Sequence, residues 1–346
     1  MWKIGACLVA GVLAMPPSAS AWDYPGHRMV GAIADRILQQ HYPNTRKRVS
    51  ELLDLKDAGG AVIHKRSLSE VAISPDCAKD EEEFCGRRPS REEMDYASRN
   101  KDHHRGFHFT NSPLQLKAYR PDGVGASRTD IVHMIGYTLA QLRGATPTDP
   151  PKTVVDLTDT EALWLLAHLV GDIHQPLHVG SKYYDQTCEN EADPNVPGTP
   201  FAITLGGNRI EIAATPPAVP LAPNLHIYWD SAAVVRAMHA AGFANAEQEF
   251  ARLLAVDPPP GWETTGPPET WAAQWVAELM PLANQAHSLL TIRRSAKLPF
   301  PTTTSPCMWE TTIDPAYQDW AKQHARIQIA KAGFRLAALL VAIFPN

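Results

Sequence analysis

The stretch from Ala162 to Asp172 is almost entirely apolar, yet it carries a histidine and an aspartate, His168 and Asp172, four residues apart. A helix that is apolar on every side has no solvent face and must lie at the centre of whatever forms around it. At a spacing of four, both polar side chains leave the same face of that helix. An ionised carboxylate there costs several kcal/mol, as an order of magnitude, unless it is partnered. A divalent cation is one of the few partners that holds an imidazole and a carboxylate together; a plain His–Asp hydrogen bond is the blander alternative. Thr158 and Glu161, just ahead of the run, supply a capping pair for its start.

Helical periodicity dominates the rest of the chain. Apolar residues recur at helical spacing over 27–39 and 130–142, and further helices are expected over 224–239, 244–254, 268–290 and 315–343. The one good strand signal is 201–212, where Gly206 and Gly207 separate two short alternating runs as a hairpin would. Proline-rich stretches at 146–151, 216–223 and 258–268 read as loops. The expected fold class is mainly α: a single helical domain with one small β-hairpin.

The amino terminus has the parts of a secretory signal: Lys3, an apolar run from Ile4 to Met15, and Ala19, Ser20 and Ala21 as a cleavage site. Residues 1–21 are therefore expected to be removed, leaving one domain over 22–346 that begins at Trp22. The apolar run is too short to span a bilayer, so no membrane anchor is expected, and the protein is read as exported, periplasmic or secreted. Cys7 leaves with the signal; Cys77, Cys85, Cys188 and Cys307 remain. An even count in an exported chain favours two disulfides. Of the three pairings possible in principle, Cys77 with Cys85 closes a short loop and leaves Cys188 with Cys307. A net charge of −5 argues against a broad basic surface for polyanions. Nucleic-acid contact would have to be local, with bound metal ions supplying positive charge.

Further candidate ligands are dispersed along the chain. His178 follows Asp172 by six residues, beyond the end of the helix, and could face a different ion. His226 and Asp230 repeat the spacing of four, although Asn224 could equally make this an ordinary capped surface helix. His108 sits between Phe107 and Phe109 in a context suited to a buried ligand, whereas His103 and His104 read as exposed bystanders. If cleavage frees Trp22, its α-amine, with a pKa of about 8, can lose its proton to zinc. Amine and carbonyl then form a chelate that His27 completes; burial of the indole ring alone is the competing account of Trp22.

Taken in order, Trp22, His27, Asp76, Phe107 to Phe109, His168, Asp172, His178, Gly206 to Asn208, and Asn224 to Asp230 give the chain a pattern that resembles the trinuclear-zinc, single-strand-specific nucleases of the S1/P1 type. The run Gly171 to Val179 is its most specific part, and the likeness extends to Ala332 to Ala337. The resemblance implies a helical fold shared with zinc phospholipases C and three Zn2+ ions. One would lie on Asp76, His108, His168 and Asp172, a second on His178, His226 and Asp230, and a third on Trp22, His27 and a bridging Asp172. It also implies that Phe109 stacks on an unpaired base, while Asn111 contacts that base and Asn208 a phosphate. Stacking demands a base free of its duplex, which gives a physical reason for single-strand preference. Where such proteins commonly carry a tryptophan before the Pro-Asp pair and an arginine three residues after it, this chain has Ser74 and Lys79. Lys79 offers charge to the transition state without a guanidinium's two-pronged grip.

The function so implied is a monomeric, zinc-dependent endonuclease. It would cut single-stranded DNA and RNA to 5′-phosphate products and act on 3′-mononucleotides, with Asp76, Lys79 and Asp172 in catalysis. Two rivals are a phospholipase C using the same metals and a non-catalytic exported zinc-binding protein.

Overall fold

The computed structural model describes residues 22–57, 59–79, 87–100, 104–116, 118–146, 157–196, 198, 200–213, 222–256, 258–297 and 307–345. The expected signal segment 1–21, Cys85, His103 and most of the proline-rich stretches at 146–151 and 216–223 lie outside these residues.

The apolar run forms the helix Asp159–Asp172. Thr158 Oγ1 accepts from the Glu161 backbone at 3.2 Å while the Glu161 carboxylate accepts from the Thr158 backbone at 3.0 Å, so two otherwise orphaned N–H groups are satisfied reciprocally. Every residue from Glu161 to Asp172 is buried. Packed around this helix are the N-terminal helix Tyr24–His41, the helix Ile131–Leu142, the short helices Leu68–Val71 and Ser74–Lys79, and the C-terminal helix Pro315–Ile343. Asp130 caps Ile131–Leu142 by accepting from Val132 and His133, and Asp314 caps the C-terminal helix with Pro315 in its first turn. The expected helices are present with ends shifted by a few residues, except that 224–239 is interrupted at Tyr228–Ala232: 244–254 becomes Glu247–Leu254, and 268–290 becomes a 3-10 turn Pro268–Thr270 followed by Trp271–Ser288.

The N- and C-terminal helices cross closely at Gly333, where an added Cβ would stand 2.5 Å from Ile33 Cβ. Their contact closes one side of the core over the central helix.

The expected hairpin over 201–212 does not form. Ala202–Ile203 pairs antiparallel with Tyr183–Tyr184, whereas Ile210–Ile212 pairs in parallel with Trp309–Thr311. The intervening segment is six residues long, with Leu205, Gly206 and Gly207 all at positive φ, and it folds down onto Leu177 instead of doubling the chain back on itself. Among the described residues the antiparallel pair closed by a short loop is Leu55–Lys56 with Val62–His64.

Cys188 and Cys307 form a disulfide with Cα atoms 5.7 Å apart across a separation of 119 residues. Closing a loop that long constrains the unfolded chain by about 4–5 kcal/mol. Cys77 is buried; its expected partner Cys85 is outside the described residues. No described helix is long and apolar enough to cross a membrane.

The close crossing has a measurable consequence. Gly333→Val is expected to lower the unfolding free energy by about 1–3 kcal/mol, the usual cost of overpacking a filled core. Chemical denaturation would report it, and an unchanged midpoint would mean the two helices do not meet as closely as described.

Candidate metal centre

His168 and Asp172 emerge one turn apart at the end of the central helix, with His168 Nε2 3.2 Å from Asp172 Oδ2. His168 Nδ1 lies 2.6 Å from the Ala72 carbonyl, so this nitrogen carries the hydrogen and donates it, leaving the Nε2 lone pair facing inward. His178 Nδ1 makes the same kind of bond to the His108 carbonyl at 2.7 Å, and His226 Nδ1 to the Gly206 carbonyl at 2.8 Å. Three imidazoles are thus locked by backbone carbonyls into the tautomer that presents Nε2 as a ligand atom.

His108 is turned the other way. Its Nδ1 faces the cluster, 3.0 Å from both His168 Nε2 and Asp172 Oδ2 and 3.9 Å from Asp76 Oδ1. Its Nε2 lies 3.3 Å from His104 Nε2. His104 is therefore not the exposed bystander expected from sequence. It is buried, 2.9 Å from both Tyr96 Oη and the Pro75 carbonyl, and it backs His108.

His27, on the N-terminal helix, stacks on His168 with ring centroids 3.8 Å apart and puts Nε2 3.1 Å from Asp172 Oδ1. The two oxygens of Asp172 consequently meet different imidazoles, His27 on one and His108 with His168 on the other. Room for the His27 ring exists because residue 171 is glycine: a Cβ there would lie 2.8 Å from His27 Nδ1.

The third grouping is His178, His226 and Asp230. The two rings stack at 4.7 Å, and the carboxylate oxygens of Asp230 lie 3.7 Å from His178 Nε2 and 3.4 Å from His226 Nε2. Asp230 falls in a π-helical turn, Tyr228–Ala232, inserted between Leu225–Ile227 and Ala233–Ala240 where one regular helix is expected from sequence. Such single turns are frequent at functional sites. Gln175, to which sequence reading assigns no role, donates Nε2–H to Asp230 Oδ1 at 2.7 Å, while the buried Oδ2 accepts no hydrogen bond from the described residues. Trp22 is fully buried, and the neighbouring Asp23 N–H donates to the Asp230 carbonyl at 2.9 Å. The start of the described chain is thereby fastened to this third group.

Three sets of side chains offer ligand atoms mutually within 4.8 Å, namely His27, Asp76 and His168; His108, His168 and Asp172; and His178, His226 and Asp230. Every ligand candidate among these eight residues is buried. The expected division placed His27 with Asp172 and not with Asp76; the geometry brings all three together around His168.

The electrostatics are those of a site in need of cations. Burial pushes Asp230 up to about 7, with His226 and the Gln175 hydrogen bond offsetting only part of the effect. Burial also opposes ionisation of Asp172, but His168 and the hydrogen bonds from His108, His168 and His27 outweigh it and hold Asp172 well below the usual carboxylate range. Burial lowers His27, reinforced by neighbouring His168. His168 is raised, since Asp172 and Asp76 overcome the effect of burial. Inward-facing imidazole lone pairs beside carboxylates fit divalent metal ions, for which nitrogen and carboxylate oxygen are the ordinary donors.

The remaining sequence candidates lie at the edges. Phe109 is 36 % exposed beside buried His108. Asn111 is half-buried, its Oδ1 accepting from Ser181 Oγ at 2.8 Å, so its amide N–H groups are what it can offer a ligand. Asn208, also half-buried, donates Nδ2–H to the Leu205 carbonyl at 3.0 Å, which leaves one N–H for another partner. Lys79 ends the helix Ser74–Lys79 that carries Asp76, and its side chain lies outside the described part of the structure.

Three buried His/Asp groups that offer metal ligands, enclosed by helices, define a mainly α protein with a candidate metal centre. Its family follows from comparison: the S1/P1 nuclease family model matches residues 22–345, and the chain belongs to the S1/P1 nuclease family. It is accordingly a nuclease, a hydrolase whose substrates are nucleic acids. No curated protein matches the chain.

Gly171→Ala separates site from scaffold. Alanine favours a helix over glycine by about 1 kcal/mol, yet its methyl would displace the His27 ring. The expected outcome is an unfolding midpoint of the metal-free protein that does not fall, together with metal affinity weakened about 10–100-fold in a chelator competition. Unaltered metal retention would show that His27 takes no part.

Proposed function

We propose that this nuclease is a zinc-dependent endonuclease for single-stranded DNA and RNA that leaves 5′-phosphate ends and also removes the 3′-phosphate of mononucleotides. The observation that carries the reading is the convergence of His27, Asp76, His108, His168, Asp172, His178, His226 and Asp230 into three contiguous groups, with the exposed ring of Phe109 directly beside His108. These eight residues, with the amine and carbonyl of Trp22, would hold three zinc ions. When bound, such ions lower the pKa of water for attack on phosphorus and neutralise phosphate and leaving-group oxygens.

The chain's own residues do the rest. Ala72, His108 and Gly206 carbonyls aim imidazoles; Gln175 aims Asp230; Asp172 bridges two groups. Phe109 offers a flat face to an unpaired base, Asn111 an amide to its edge and Asn208 an amide to a phosphate. Lys79, three residues after Asp76, supplies positive charge towards the phosphate. We further propose that residues 1–21 are an export signal, that 22–346 is one catalytic domain acting as a monomer in the periplasm or outside the cell, and that Cys77 pairs with Cys85. The family match opening at Trp22 supports the first of these.

Purified protein loaded with zinc is expected to hydrolyse single-stranded DNA, RNA and 3′-AMP; failure on all three would defeat the reading, and release of phosphocholine from lecithin instead would mark a phospholipase. Phe109→Ala is expected to cost about 1–3 kcal/mol of base stacking, read mainly as a raised KM on single strands. A protein that retains one extra residue before Trp22 is expected to lose most activity and one metal ion per chain; equal turnover would remove the terminal amine from the site.

A further inference from the structure

Asp172 and His178 belong to different groups of the metal centre and are joined by a buried turn with His174 at its second position. The end of the ligand-bearing helix leaves four carbonyls to satisfy. Leu169, Gly171 and Asp172 carbonyls accept from the backbone N–H of Ile173, His174 and Gln175, at 2.9, 3.1 and 2.9 Å. The Val170 carbonyl instead lies 2.8 Å from His174 Nδ1. On the other edge of the ring, His174 Nε2 lies 3.1 Å from Arg335 Nη1. A guanidinium only donates, so Nε2 must accept and the hydrogen must sit on Nδ1, where it caps Val170.

Arg335 is itself held on every side. It is 4 % exposed, its Nε donates to the Trp262 carbonyl at 3.1 Å, its Nη2 pairs with Glu278, and its Cζ lies 5.6 Å from the centroid of the Trp275 ring. Lys331 pairs with the other oxygen of Glu278, and Trp275 also packs 5.4 Å from His174. A guanidinium is costly to place in a core that leucine or methionine could fill. What it supplies here is a rigid donor fork fixed by two helices and the Trp262 loop, aimed at the turn between metal ligands.

We propose that Arg335, acting through His174, is a positioning residue of the metal centre. It fixes the turn Asp172–His178 and so sets the separation of the His108, His168, Asp172 group from the His178, His226, Asp230 group. Gln175, the next residue of that turn, carries the same constraint to Asp230 through its 2.7 Å bond. Displacing the turn therefore disturbs ligands on both sides.

This inference rests on the metal-dependent reading above, and its test tells the two apart. Zinc release to an excess of chelator, the unfolding midpoint of the metal-stripped protein, and kcat and KM would be measured for the unaltered protein and for His174→Asn, His174→Gln and Arg335→Lys. An asparagine amide can still cap Val170 but falls short of Arg335; a glutamine oxygen can reach the position of Nε2 and accept from Arg335. The expected result is zinc release faster by about 10–100-fold in His174→Asn and Arg335→Lys. In both, kcat falls with KM little changed; the metal-free midpoint of His174→Asn stays near the parent's, that of Arg335→Lys falls because its bond to Trp262 is lost as well, and His174→Gln remains close to parent in all respects. Should Arg335→Lys fail to fold, the two His174 variants decide. Equal zinc release in all of them, or release from His174→Gln as fast as from His174→Asn, would overturn the proposal while leaving the metal reading intact. A parent protein that holds no zinc would overturn both.

Discussion

Three carboxylates and five imidazoles share one buried volume at the middle of this protein, and the rest of the structure depends on how their charge is resolved. Left to themselves the groups work against one another: burial drives Asp230 towards the neutral form, while surrounding imidazoles drive Asp172 towards the charged one. Divalent cations satisfy both demands at once, since neutral imidazole and ionised carboxylate are both good donors to them. A core organised this way is also one whose stability is linked to metal, because an ion that binds the folded chain alone shifts the folding equilibrium by mass action.

The scaffold contributes orientation. The carbonyls of Ala72, His108 and Gly206 come from three different segments, and each chooses the tautomer of one histidine. Gln175 and His104 do comparable service for Asp230 and His108. Behind them stand Glu278, Lys331 and Arg335 on the last two long helices. The contacts that support the cluster thus reach from Asp23, whose N–H donates to the Asp230 carbonyl, to Arg335 on the C-terminal helix.

Much of this was legible in the sequence because it rests on local rules. An apolar run with a capping pair specifies a buried helix, and a spacing of four fixes which of its side chains share a face; Ala162 to Asp172 needed nothing more. The ligand candidates His27, Asp76, His108, His178, His226 and Asp230 came together because their order carries the family resemblance, not because spacing alone places residues so far apart. What escaped was set by tertiary contact. His104 follows an exposed-looking polar stretch, and only its position behind His108 makes it buried. The two runs around Gly206 and Gly207 have hairpin chemistry, but their partners are Tyr183 and Trp309, far away in the chain. The π turn at Asp230 and the bond between His174 and Arg335 leave no periodic trace in the sequence at all.

The most direct measurement is anomalous diffraction across the zinc absorption edge from zinc-loaded crystals of the protein beginning at Trp22. Three peaks are expected within the cluster, each at about 2.0–2.2 Å from the histidine nitrogens and aspartate oxygens named above, with Asp172 touching two of them. Peaks lying elsewhere, or a metal-loaded crystal with no ion between His108, His168 and Asp172, would contradict the account.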